Sequence, residues 1–317
     1  MKLVQAGVSE ITEQDILKKI ELCGRICYKS EDKITEESCK GFVARLVRSQ
    51  HYAMLEHAPV VLSVTARVAK GIKRLGHGTF LNVTLNDMDS RYLISGNIRA
   101  WLTLFTTKEY RKENFELIEQ CEKFMQISLG EEVYSILFPN VYTCSSYSRD
   151  FILTQEQILA LPNLKDYEAA AHLYLTAHFI CDRGVSHELV RHRPASFAQE
   201  STRYCNYAQE KYGKEISFID PGITGITNTI VEYIFQAAEE AYFNMLNGGH
   251  TPQVARLVLP TALKTEVVMT CCLGEWQHVI NLRYHGTTGA PHPDMKKVMS
   301  YWYEYICTKE GYNRWIK

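Results

Sequence analysis

The spacing of apolar and polar positions changes several times along this chain. Residues 12–22, Thr-Glu-Gln-Asp-Ile-Leu-Lys-Lys-Ile-Glu-Leu, put Ile16, Leu17 and Ile20 on one face of a helix, with Thr12 as the expected N-cap. A second helix is predicted over 36–50. Val60 to Val68 is rich in Val and Thr, with Leu62, Val64 and Ala66 in alternation, and reads as a strand. Residues 69–90 carry Gly71, Gly76 and Gly78 among mixed polar positions, which predicts a loop or a distorted hairpin. A short strand over 91–95 leads into a helix starting at Asn97 and reaching Phe105. Residues 110–165 are polar and aromatic, with turn signals and no strong period. Within them Phe151–Thr154 reads as a strand and 155–161 as a short helix ending near Pro162.

The second half of 168–183 is a strand candidate, followed by a helix over Ser186–His192 with Ser186 as its cap. Residues 227–246 form a strong helical pattern, closed by Asn247-Gly248-Gly249. Gln253–Leu257 and Glu275–Asn281 are helical, with an apolar strand over Lys264–Thr270 between them. Met295–Cys307 is an aromatic amphipathic helix. There is no internal repeat and no regular βαβ rhythm. Neither G-x-G-x-x-G nor G-x-x-x-x-G-K-[ST] occurs, which argues against a Rossmann domain and a P-loop.

Composition narrows the classes. A chain of 317 residues is long for one domain at roughly 150 residues each, so one large domain or two are expected. Apolar content of 46% and charged content of 22% are those of an ordinary globular protein with a substantial core. A net charge of −1 argues against a general nucleic-acid binder. The ten cysteines include no C-x-x-C pair, and no secretory leader is recognisable, so reduced thiols and a cytoplasmic location are expected. No apolar run approaches the roughly 20 residues of a membrane span.

The densest chemistry lies in residues 191–204, Arg-His-Arg-Pro-Ala-Ser-Phe-Ala-Gln-Glu-Ser-Thr-Arg-Tyr. Arg191, His192, Arg193 and Arg203 are interleaved with the hydrogen-bonding groups of Ser196, Gln199, Ser201 and Tyr204. Planar bidentate donors suit a phosphate or another oxyanion; the alternative is a solvated basic turn. Arg256 and Arg283 sit on apolar stretches, where a guanidinium needs a counterion. Each could be balanced by one of the 36 acidic residues, but together Arg191, Arg203, Arg256 and Arg283 favour a shared anionic ligand. No metal site is expected: His51 and His57 flank Glu56, His187 and His192 flank Arg191, and neither pair has H-E-x-x-H spacing. For a thiol nucleophile, Cys205 has arginines nearby, and Cys271-Cys272 has His278 and His285; inert packing is the alternative.

Arg191-His192-Arg193, then seven residues, then Ser201 resembles the motif of the flavin-dependent thymidylate synthases. His51–His57 resembles that family's upstream histidine element, and Ser95–Trp101 a segment of its longer members. Gln253–Pro260 resembles its A-R-x-x-L-P element. Glu275-Trp276-x-His278 with Leu282-Arg283, then His292–Met295, resembles its C-terminal element. The resemblance runs from about residue 20 to about residue 300, leaving 105–165 uncovered. It departs at Cys272 and Gly274, where many members carry Asn and Arg, and at Gly286–Gly289, which lengthens a loop.

The resemblance implies conversion of dUMP to dTMP, with methylenetetrahydrofolate as one-carbon donor and FAD, reduced by NADPH, as hydride source. By position, Glu188, Gln199, Ser201, Arg203, Arg256 and Arg283 are expected at the nucleotide, with Arg283 and Ser201 catalytic. His57, Arg191, His192, Arg193, Gln199, His278 and His292 are expected at the flavin. The implied assembly is a homotetramer whose sites draw on several subunits. The expected fold is α+β, a small, mainly antiparallel sheet packed against long helices. The whole of 1–317 is expected as one domain, with a poorly patterned insertion at about 105–165. Two rivals stay open: a thiol-dependent pyrimidine methyltransferase and a non-redox nucleotide-binding regulatory protein.

Overall fold

The computed structural model describes residues 1–86, 91–139, 141, 152–161, 166–222 and 226–316. In chain order the elements begin with β1 (Lys2–Val4), β2 (Gly7–Glu10), α1 (Ile16–Tyr28), α2 (Ser38–Arg48), β3 (Pro59–Thr65) and α3 (Ala66–Arg74). There follow β4 (Asn82–Asn86), β5 (Arg91–Asn97), α4 (Ile98–Thr106), α5 (Lys108–Leu129), α6 (Glu131–Leu137), α7 (Gln155–Leu159) and α8 (Asp166–Ala170). The second half contains β6 (Tyr174–Asp182), α9 (Arg183–Leu189), β7 (Ser196–Gln199), β8 (Ser217–Ile219), α10 (Ile226–Asn247) and α11 (Pro252–Ala255). It closes with β9 (Lys264–Cys272), α12 (Leu273–Ile280) and α13 (Pro293–Thr308).

The sheet that matters for the site has the order β2-β6-β9-β7, antiparallel throughout. A second antiparallel sheet has the order β3-β5-β4, and β1 pairs with β8 in parallel. The fold thus mixes helices with mainly antiparallel sheets. β9 is buried along nearly its whole length because both faces of its sheet are covered. Val267, Met269 and Cys271 pack towards α12 and α13, while Val268 joins the core under α1 and α2. This period-2 division places Glu266 and Thr270 on the α1 side and Thr265 on the α9 side. No helix among the described residues is long and apolar enough to cross a membrane.

Several sequence expectations are corrected. Thr12 does not cap α1: the Asp15 carboxylate accepts from Lys18 N, and the helix starts at Ile16 and runs on to Tyr28. Ser186 does not cap α9 either, since Asp182 accepts from Val185 N and starts the helix three residues earlier. Ala66–Val68 leave the strand for α3, because Val68, Ala69 and Ile72 make a buried helical face. The stretch 69–90, expected as a loop or distorted hairpin, contains the end of α3 and the strand β4, which pairs with β5. The stretch 110–165 holds most of α5, which is kinked at Asn114 and whose buried Ile118, Cys121 and Met125 carry a period hidden among charged residues. Phe151 lies outside the described residues; Ile152 makes only an isolated bridge to Leu62 in place of a strand. The α7 helix stands where expected, held by the Thr154–Gln157 capping box.

Candidate functional site

The stretch after α9 turns back at His192, pairs along β9 as β7 with Ser196 opposite Thr270 and Gln199 opposite Val267, and ends in a loop carrying Ser201 and Arg203. Two clusters of cations flank this strand.

The first is centred on Arg283, placed by a π-helical turn, Asn281–His285, at the end of α12. Its Nε donates to His192 Nε2 at 3.0 Å, and its Nη1 donates to Glu188 Oε2 at 2.6 Å. A guanidinium Nε always carries a proton, so His192 Nε2 is the acceptor and its Nδ1 carries the ring's hydrogen. His192 is buried; burial, then the neighbouring Arg283, His278 and Arg193 charges, bring its pKa down to about 4. Glu275 and His278 stand one turn apart on α12, and with His192 their donor atoms lie within 4.8 Å of one another. The Glu275 Oε1 is buried without a partner among the described residues, and burial raises the carboxyl to about 7. This trio has the composition of a metal site, but the neutral His192 presents an N–H at its remaining nitrogen and Arg283 stands beside it. It is better suited to hydrogen-bond a polar ligand than to hold a cation.

The second cluster is cross-braced. Arg203 Nε donates to Gln253 Oε1 at 3.2 Å, and Arg256 Nη1 donates to Thr202 Oγ1 at 3.2 Å. Loop 201–204 and α11 therefore exchange guanidinium contacts. Arg203 also lies over the exposed Tyr204 ring, and its backbone N–H donates to Ser201 Oγ at 3.4 Å. Among the described residues no carboxylate pairs with Arg191, Arg203 or Arg256, although Arg25, Arg99, Arg111 and Arg283 each have one. Arg256 was expected on a buried apolar stretch. It is instead exposed, beside Leu257 at 78% exposure, so no intrachain counterion is required.

The remaining sequence candidates are distributed as follows. Gln199 lies between the clusters, bonded to Ser186 and Thr265. Arg191 is exposed; Arg193 folds back to donate to the Val190 and His192 carbonyls. His278 is exposed and meets the His192 ring edge-on at 6.2 Å. His292 caps α13 and shares with Glu188, Asp182, Ile219 and Thr261 the lining of a cavity of about 290 Å³. His57 stands apart: it is fully enclosed, bonded through Nδ1 to Thr270 Oγ1, and lowered to about 3 by burial. Burial pushes the Cys205, Cys271 and Cys272 thiols upward, away from the thiolate a nucleophile needs. Glu275 is a residue of this trio that the sequence offers only within the Glu275-Trp276-x-His278 motif. Its signal in sequence was the carboxylate three residues before His278 on one helical face.

The fold and site together define a protein of helices and mainly antiparallel sheets, with arginines gathered around β7 and no glycine-rich nucleotide loop in its sequence. Residues 149–306 match the Thy1 family, described as "Thymidylate synthase complementing protein", and the chain belongs to that family. Curated relatives include the flavin-dependent thymidylate synthases of Geobacter sulfurreducens, 34% identical over 104 residues, and of Sulfurisphaera tokodaii, 39% identical over 101. Each alignment covers 32% of this chain, and it spans 43% and 38% of the two relatives, about two fifths of their length. Solved structures similar to it include the UMP/dUMP methylase PolB from Streptomyces cacaoi bound with 5-Br UMP. That pair has a TM-score of 0.41 and 14% identity, covering 100% of this chain and 97% of the other. Thymidylate Synthase X from Helicobacter pylori with FAD and dUMP gives 0.37 and 17%, covering 51% and 81%.

Proposed function

We propose that this protein methylates dUMP to dTMP reductively, using methylenetetrahydrofolate as one-carbon donor, FAD as cofactor and NADPH as reductant. The observation that carries the reading is the cross-braced pair Arg203 and Arg256. Both guanidiniums are held in place by neutral oxygens, so their charge is ordered yet uncompensated. That is the state a phosphate-binding site needs before its ligand arrives.

Ser201, Arg203 and Arg256 then bind the nucleotide phosphate, and Arg283, Glu188 and Gln199 meet its pyrimidine and sugar. A guanidinium against a pyrimidine carbonyl stabilises the enolate-like charge that grows as C5 attacks the one-carbon unit. Arg283 is suited to that role because His192 and Glu188 fix its Nε and Nη1. Ser201 acts as a donor, since no base is bonded to its hydroxyl among the described residues.

The residues present fit a flavin: two exposed arginines, two exposed imidazoles, and a buried carboxyl oxygen without a partner among the described residues. Arg191, His192, Arg193, Gln199, His278 and His292 would hold it, and when bound it supplies the hydride. His57 reaches the site through Thr270 on β9 and through the Phe197 backbone on β7.

A cavity of about 290 Å³ is too small for a nucleotide and a dinucleotide cofactor together. Tyr204 and Leu257, next to Arg203 and Arg256 in the chain, are exposed, and so are Ile230, Tyr233 and Ile234 on α10. Such surface is the mark of an interface. We therefore assign the missing walls to further copies of the chain, in a homotetramer. The chain acts as one domain with 105–165 as its insertion, in the cytoplasm, where its free thiols persist.

Arg203→Ala tests the reading. Calorimetry should show dUMP binding weakened by roughly 2–5 kcal/mol, the scale for removing one partner of a charged contact. Unchanged affinity would take Arg203 out of the site.

A further inference from the structure

We infer that Arg183, Ser186 and Thr265 are positioning residues for the proposed nucleotide site, acting through a closed ring of hydrogen bonds that fixes the Gln199 amide and the Glu200 carbonyl. This rests on the functional reading above and adds three residues to it.

The ring closes on itself. Arg183 Nη1 donates to Thr265 Oγ1 at 3.3 Å. Gln199 Nε2 donates to the same oxygen at 3.3 Å and to Ser186 Oγ at 2.9 Å. Ser186 Oγ donates in turn to the Arg183 carbonyl at 2.8 Å. Ser186 and Thr265 are 0% and 1% exposed, so water does not replace a broken link.

The ring has a direction. A serine hydroxyl has one proton, and that of Ser186 is committed to the Arg183 carbonyl. The Gln199 atom facing Ser186 must therefore be the amide nitrogen. The Gln199 side-chain oxygen Oε1 has no partner among the described residues and is left as an acceptor for a ligand N–H or O–H.

The same arginine holds the backbone. Arg183 Nη1 donates to the Glu200 carbonyl at 3.2 Å, Glu200 N donates to the Glu266 carbonyl at 2.9 Å, and Cys27 Sγ donates to the Gln199 carbonyl at 2.9 Å. Each of these groups is thus held just ahead of Ser201 and Arg203. Arg183 and Ser186 are also on the helix whose last turn carries Glu188, the partner of Arg283. The ring is therefore the shared mount of both cation clusters, and loosening it displaces the two relative to each other.

The test compares Thr265→Val with Thr265→Ser in the flavin-loaded protein. Valine keeps the branched shape and removes the shared acceptor; serine keeps the hydroxyl and removes the methyl. For Thr265→Val loaded with FAD to the wild-type level, dUMP affinity should fall about tenfold, the size of one lost buried hydrogen bond. Hydrogen exchange of the 199–204 amides should quicken in the same variant. Thr265→Ser should keep both properties. The proposal is overturned if Thr265→Val binds and exchanges as wild type, or if Thr265→Ser is equally impaired, which marks a packing role. Should wild-type protein not bind dUMP, the nucleotide reading is what fails. Faster exchange in Thr265→Val alone would then sustain the ring, and its absence would end it.

Discussion

Arg283 serves two groups at once, donating to His192 from Nε and to Glu188 from Nη1. Lysine, with one compact ammonium, cannot reproduce that fork. Arg283→Lys should free His192 from its fixed role as acceptor and lower turnover more than it raises the dUMP KM, as steady-state kinetics would show. His192 shares its low pKa with two other buried histidines. Burial brings His57 to about 3 and His172 to about 4. All three are neutral in the fold and titrate near 6.5 when unfolded. As pH falls below about 6.5, the unfolded chain takes up protons that the folded chain refuses, so stability drops until about pH 4. Each ring contributes on the order of 1.4 kcal/mol per pH unit across that window. At lower pH Glu266 adds to the loss: burial alone would raise it, but His178, Lys264 and Lys29 hold it well below the usual range. Urea midpoints at pH 7, 5.5 and 4.5 should decline steeply; a flat series would contradict the buried-neutral assignment. The identities of Arg283, His192 and Glu188 were legible from motif order. Their mutual pairing was not, because Glu188 and Arg283 are 95 positions apart and meet only when α12 docks beside α9.

At the scale of elements, the crossing of α1 and α2 depends on Gly24. A Cβ there would stand 2.7 Å from Phe42 Cζ and 2.8 Å from Cε1, inside contact distance of a buried ring. Alanine is worth up to about 1 kcal/mol in helix propensity, but overpacking a core costs about 1–3 kcal/mol, so Gly24→Ala should be destabilising overall. Adding Phe42→Leu should recover part of the thermal midpoint. Strand and helix patterns were legible where a single signal runs through the element, as in the apolar run of β9 and the long helical pattern of α10. They were misread where two signals compete. Ala66 fits the alternation of β3 and also the apolar face of α3, and the buried packing of Val68, Ala69 and Ile72 decides for the helix. Thr12 and Ser186 are good capping residues, yet Asp15 and Asp182 stand nearer the true helix starts and supply the accepting oxygens.

For the whole molecule, the proposed tetramer rests on the distribution of charge and apolar surface. Arg203 and Arg256 lie on an exposed rim beside Leu257, while Arg283 and Glu188 lie across β7. Leu257→Asp should shift the protein to smaller species in sedimentation and weaken dUMP binding with it; loss of neither would separate this surface from assembly. The triple change of Cys205, Cys271 and Cys272 to Ala should leave turnover largely intact, since burial disfavours all three thiolates. The most direct test is the absorbance spectrum of the purified protein, followed by anaerobic titration with NADPH with and without dUMP. The account predicts flavin absorption that NADPH bleaches, at a rate that dUMP changes. A colourless protein that takes up no FAD, or a flavin indifferent to both NADPH and dUMP, would contradict it.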